Sequence, residues 1–107
     1  MFDLKGRIAI VTGAARGIGF AAAEKLAENG ASVVLGDVNE PLVQEAAGRL
    51  KAKGYEALAV RMDVGRNDSI REAIAAAVKA FGGIDIVVNN AGILSACLLY
   101  TSPSPRD

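Results

Sequence analysis

The chain has 107 residues, 51% of them apolar, and its 12 basic and 12 acidic side chains cancel to zero net charge. That length suits one small domain, and the balanced charge leaves no basic surface to attract nucleic acid or anionic lipid. With a single cysteine, Cys97, and no histidine, an internal disulfide, a Ser-His-Asp triad and a His-ligated metal site are excluded.

In chain order, the N-terminus Met1-Phe2-Asp3-Leu4-Lys5-Gly6 lacks the apolar core of a signal peptide, and no apolar run approaches a membrane span. A soluble, cytoplasmic protein is expected. Arg7 to Thr12 reads as a strand, because Ile8, Ala9, Ile10 and Val11 form the continuous apolar run of a parallel strand covered on both faces. From Gly17 the period becomes helical, with Ile18, Ala22, Ala23, Leu26 and Ala27 on one stripe up to the stop signal Asn29-Gly30. The join is glycine-rich. Gly13 allows a sharp turn, Gly17 lets a pyrophosphate approach the backbone, and Gly19 permits close packing of helix on strand. A helix N-terminus there presents unpaired N–H groups and the positive end of the helix dipole to a phosphate. Three glycines in seven residues also fit an ordinary tight turn; the strand before and the helix after favour nucleotide binding.

Ala31 to Asp37 reads as a second apolar strand ending in an acid. Asp37 lies 18 residues beyond Gly19, close to the separation at which a carboxylate meets the ribose hydroxyls of a dinucleotide; the alternative is a turn that caps the next helix. A 2′-phosphate beside that carboxylate would meet a repulsion of roughly 4 kcal/mol at about 4 Å and an effective dielectric of about 20. NAD is therefore favoured over NADP. Asn39 can cap a second helix with Pro41 in its first turn and Leu42, Val43, Ala46, Ala47 and Leu50 on its apolar face, ended by Lys53-Gly54.

Tyr55 to Met62 reads as a third strand, followed by Asp63-Val64, a pair uninformative alone. Ser69 with Glu72 fits a capping box for a third helix, whose stripe of Ile70, Ala73, Ile74, Ala77, Val78 and Phe81 predicts a core-facing side. Gly82-Gly83 stops it. Ile84 to Val88 makes the fourth strand, ending in Asn89-Asn90-Ala91-Gly92, where small residues leave room for a ligand and the amides can tie loops together. Right-handed crossovers between parallel strands predict the order third, second, first, fourth, a Rossmann-type doubly wound α/β sheet. Its winding reverses between strands one and four, and both the glycine loop and the Asn-Asn-Ala-Gly segment fall at that switch point.

The spacing Thr12-Gly13-x-x-x-Gly17-Ile18-Gly19, together with Asp37, Asp63-Val64 and Asn89 to Gly92, resembles the short-chain dehydrogenase/reductase family over residues 4 to 95. The related sugar-nucleotide epimerases place two residues, not three, between the first glycines. The resemblance implies NAD(P)-dependent hydride transfer between an alcohol and a ketone, as an oxidoreductase of homo-oligomeric habit. It further implies that Gly13, Arg16, Gly17, Ile18, Gly19, Asp37, Asp63, Val64, Asn90, Ala91 and Gly92 form the coenzyme site. Asp63 would accept from the adenine amine, and Val64 would lie nearby. Arg16 is the contrary signal, since a basic residue at that position in the family can serve a 2′-phosphate; it equally suits a solvated surface charge.

The family's catalytic Ser and Tyr-x-x-x-Lys have no counterpart: Tyr55 and Tyr100 are the only tyrosines, and neither is followed four residues on by lysine. No catalytic residue is assigned, and the expected organisation is a partial coenzyme-binding domain over residues 1–95, truncated after its fourth strand and inactive by itself. A non-catalytic dinucleotide-binding module is the alternative. Residues 96–107, with Pro-Ser-Pro and no periodicity, read as an irregular tail, either a translated sequencing adapter or a flexible terminus. Truncation is expected to leave the fourth strand as an apolar edge and one face under-covered, giving a marginally stable, association-prone fragment.

Overall fold

The computed structural model describes residues 3–90. Along them run β1 (Ile8–Thr12), α1 (Gly17–Glu28), β2 (Ser32–Asp37), α2 (Glu40–Ala52), β3 (Ala57–Arg61), α3 (Asn67–Phe81) and β4 (Ile86–Asn89). The four strands form one parallel sheet in the order β3-β2-β1-β4, as a chain of right-handed crossovers demands. The doubly wound arrangement expected from the sequence is the one observed.

Strand period sorts the apolar residues between two layers. Ala9 and Val11 of β1 and Val33 and Leu35 of β2 point to the side of α1 and α2, where they pack with Ala23, Ala27, Val43, Ala46, Ala47 and Leu50. Ile10 and Val34, on the opposite face of the same strands, meet Met62, Ala73 and Ala77 on the side of α3. Both faces of β1 and β2 are thereby buried, which is why these strands read as unbroken apolar runs.

Helix α2 starts as its composition requires: the Asn39 side chain accepts the Leu42 N–H at 3.2 Å, and proline occupies the first turn. Helix α3 departs from expectation. Its cap position is Arg66, without a side-chain cap bond, and the Ser69 hydroxyl accepts a hydrogen bond from the Asp63 N–H instead of closing a capping box. Its six-residue stripe is also buried only in part. Ala73 and Ala77 are buried and Ile70 and Phe81 pack partly on the core, whereas Ile74 and Val78 are 41% and 48% exposed. Among the described residues α3 alone covers this face of the sheet, and the flank of its stripe has no described neighbour to bury against.

Strand ends shift by a residue or two from their predicted places, the usual uncertainty of boundaries, and the shifts have causes. Tyr55 donates its N–H to the Leu50 carbonyl and belongs to the turn after α2. Asp85 precedes β4 because it clamps that strand to β1: its Oδ2 accepts the Ile8 N–H at 2.9 Å, its N–H donates to the Ile8 carbonyl at 2.7 Å, and Arg7 lies 3.8 Å from Oδ1. Among the described residues, no helix is long and apolar enough to cross a membrane.

Candidate functional site

The carboxyl ends of β1 and β4 lie side by side, with Thr12 in register with Asn89. Between Thr12 and α1 the chain turns through Gly13 and Gly17 at φ of 62° and 66°, left-handed conformations that favour glycine. Gly19 is required by proximity: a Cβ there would sit 2.0 Å from the Gly13 carbonyl oxygen and 2.9 Å from the Asn90 Nδ2. The loop therefore folds back onto the first turn of its own helix.

Asn90 joins the two motifs that the sequence placed 77 residues apart. Its side-chain N–H donates to the Gly13 carbonyl at 3.2 Å and its backbone N–H donates to the Thr12 hydroxyl at 3.0 Å. Thr12, 1% exposed, in turn donates to the Val88 carbonyl at 3.5 Å. Asp37 braces the loop from the other side. Its Oδ2 accepts the Ala15 N–H at 3.1 Å and its Oδ1 accepts the Asn39 N–H at 3.0 Å. Asp37 thus supports the turn into α2, and each carboxylate oxygen keeps a further lone pair.

The mouth of α1 differs chemically from those of the other helices. It has no side-chain cap and no acid in its first turn, whereas α2 is capped by Asn39 and carries Glu40 and α3 carries Asp68. Arg16, Gly17 and Ile18 are exposed there, Ile18 at 79%. Ile18 shares the helical spacing of α1 without being buried; Gly19, Ala23 and Ala27 are the buried residues of the helix. A Cβ at Gly17 would meet nothing within 4 Å, so the backbone is open to an approaching group.

Asp63 and Val64, both half-buried, follow β3 next to this end of the sheet, where the Met62 N–H donates to the Asp37 carbonyl at 3.0 Å. Ala91 and Gly92 lie outside the described residues, as does the tail from residue 96. What sequence reasoning missed are the braces, namely Thr12 as the hydroxyl between two strand ends and Ser69 beneath Asp63. Only their burial, 1% and 8%, singles them out among the polar side chains.

The family model for short chain dehydrogenases matches residues 7–104. The chain belongs to this family. It is 46% identical over 91 residues to the 2,5-dichloro-2,5-cyclohexadiene-1,4-diol dehydrogenase LinX of Sphingobium indicum, covering 85% of this chain and 36% of that protein. Among solved structures, a hydroxysteroid dehydrogenase from Escherichia coli superposes with a TM-score of 0.81 at 37% identity, over 84% of this chain and 38% of that one. A short-chain dehydrogenase/reductase from Burkholderia phymatum in complex with NAD gives a TM-score of 0.77 at 38% identity, over 81% and 31% of the respective chains. This short-chain dehydrogenase sequence thus spans less than two-fifths of the length of these relatives.

Proposed function

We propose that these residues are the coenzyme-binding portion of an NAD-dependent alcohol or ketone oxidoreductase. The observation that carries the reading is the pair of hydrogen bonds from Asn90 to Thr12 and Gly13, because they join both family motifs into one crevice at the switch point of the sheet. The glycine loop from Gly13 to Gly19, exposed at Arg16, Gly17 and Ile18, and the uncapped first turn of α1 would hold the pyrophosphate. Asp37 would accept the adenosine ribose hydroxyls, Asp63 and Val64 would border the adenine, and Ile18 would lose its exposure beneath the coenzyme. Asn90, Ala91 and Gly92 would let its nicotinamide half pass close to the backbone of β4.

The bound nicotinamide supplies the hydride acceptor or donor. The chain's own contribution is to grip, orient and exclude water, while proton transfer to a small alcohol or ketone falls to a Ser and Tyr-x-x-x-Lys not found in these 107 residues. By itself the segment binds coenzyme and does not turn over substrate. A second reading, a dinucleotide-binding module without chemistry, uses the same crevice; hydride transfer by the full-length gene product would exclude it. The absence of a basic stripe and the homo-oligomeric habit of the family complete the expected setting, a small-molecule enzyme with neither nucleic acid nor membrane as partner.

Calorimetric titration with NADH and NADPH tests the assignment of Asp37. NADH is expected to bind at least about tenfold more tightly, since the 2′-phosphate meets the Asp37 charge. Asp37→Asn, which keeps one carbonyl oxygen for the loop amides, should reduce that ratio to near unity. Tighter NADPH binding by the unaltered chain would overturn the assignment and make Arg16 the deciding residue.

A further inference from the structure

Thr12 and Ser69 are the polar side chains buried among the described residues. Thr12 is accounted for by the junction of β1 and β4. Ser69 has the residue type of a helix cap but lies inside the first turn of α3, three residues past the cap position Arg66, and its oxygen is turned backward. It accepts the Asp63 N–H at 2.8 Å, while its own N–H donates to Asp68 Oδ1 at 2.9 Å.

The bond to Ser69 completes the immobilisation of the Asp63 turn. The Asp63 carbonyl accepts the Arg66 N–H at 3.0 Å, and its Oδ1 accepts the Gly65 N–H at 3.0 Å. Arg66, three residues further on, is turned onto Asp68, to which its guanidinium donates at 3.3 and 3.1 Å. Backbone amide, carbonyl and one carboxylate oxygen of Asp63 are all fixed, and Oδ2 has no bond among the described residues. A carboxylate oxygen is an acceptor only. Held in one direction, it discriminates sharply between an amino group, which donates to it, and an oxo group, which repels it; a swivelling carboxylate can turn aside and does not.

We infer that Ser69 is a positioning residue for base selection: by holding the Asp63 amide it aims Oδ2, and it thereby sets the preference of the site for a 6-amino over a 6-oxo purine. This rests on the coenzyme reading given above, in which Asp63 borders the adenine. Ser69 itself touches no coenzyme.

The test uses the 107-residue chain with NADH and its deaminated counterpart, in which hypoxanthine replaces adenine, each titrated by nicotinamide fluorescence. The unaltered chain is expected to prefer NADH by about tenfold, the worth of a hydrogen bond to a charged group. Ser69→Ala should bring the two affinities to within about twofold, by weakening NADH and leaving the deaminated coenzyme nearly unchanged. Ser69→Cys, close in shape but with a weak sulfur acceptor, should behave likewise and serves if the alanine variant does not fold. Equal weakening of both coenzymes in these variants, or a retained preference, would show that Ser69 is only structural and overturn the inference. Equal binding by the unaltered chain would overturn the role of Asp63, and absence of binding would overturn the coenzyme reading; each takes the inference with it and is seen before any substitution is made.

Discussion

On the face of the sheet covered by α1 and α2, fourteen of the described residues are buried in one cluster running from Ala9 to Ala57; on the α3 face the corresponding cluster holds Ile10, Val34, Met62, Ala73 and Ala77. Between α3 and β4 lies an open groove of about 530 Å³ lined by Ile74, Ile84 and Val87 among others. Ile74, Val78 and Val87, three of the large apolar side chains left exposed, all belong to α3 or β4. The sequence gives both faces apolar residues at the correct period. What differs among the described residues is cover: α1 and α2 pack over one face and α3 alone over the other. Stability follows the neighbours available to a side chain rather than its hydrophobicity alone.

The largest expected effect separates the two faces directly. Leu50, fully buried between α2 and the sheet, should cost about 2–5 kcal/mol on substitution by alanine, the range for emptying a filled core site. Ile74→Ala on the α3 side should cost less than about 1 kcal/mol, because much of its surface already faces water. Denaturant titrations of both variants measure the contrast, and equal losses would abolish it. Of intermediate size is the effect of Asp85→Ala, which deprives the thinly covered edge of its clamp to Ile8. Amides of β4 should then exchange with solvent about fivefold faster, corresponding to about 1 kcal/mol, with those of β2 unchanged. Uniform acceleration would mean that the faces open together.

The smallest effects come from exposed ion pairs, and they run in opposite directions of pH. Arg66 beside Asp68 holds the carboxyl of Asp68 below its ordinary range. A depressed folded-state value means that its contribution to α3 is present above the unfolded value and lost as pH falls through the folded one. On the thicker face, hydrogen bonding and charge from Glu24 raise the Lys53 ammonium above its ordinary value. That contribution is complete below the unfolded value and lost as pH rises through the folded one. Both pairs are solvent-exposed and should shift melting curves only slightly, less so at high salt. Asp68→Asn should flatten the acid limb and Glu24→Gln the alkaline limb; the reverse pattern would contradict the assignment of each pair.

Much of this was legible along the chain. Helical and strand periods, the stop signals at Asn29-Gly30 and Gly82-Gly83, and the cap at Asn39 are local features, and crossover handedness turns an ordered list of such elements into a single sheet topology. The glycine loop and the Asn-Asn pair announced themselves because each needs particular residue types at fixed spacing. The Ser69-Glu72 signature misled for the same reason, since a capping box and a serine that serves the preceding turn look alike in sequence.

By itself, then, the amino-acid sequence determined which residues become helix and strand, in which order the strands lie and where the two motifs meet, because those depend on near neighbours and on chain chirality. Only the tertiary structure decided what holds the meeting place. The bonds from Asn90 to Gly13, from Ala15 to Asp37 and from Asp63 to Ser69, and the exposure of Ile74 and Val78, depend on which groups come within about 3 Å or lie bare after packing. Periodicity carries a side chain to a face, but whether another element covers it there is settled by the rest of the fold.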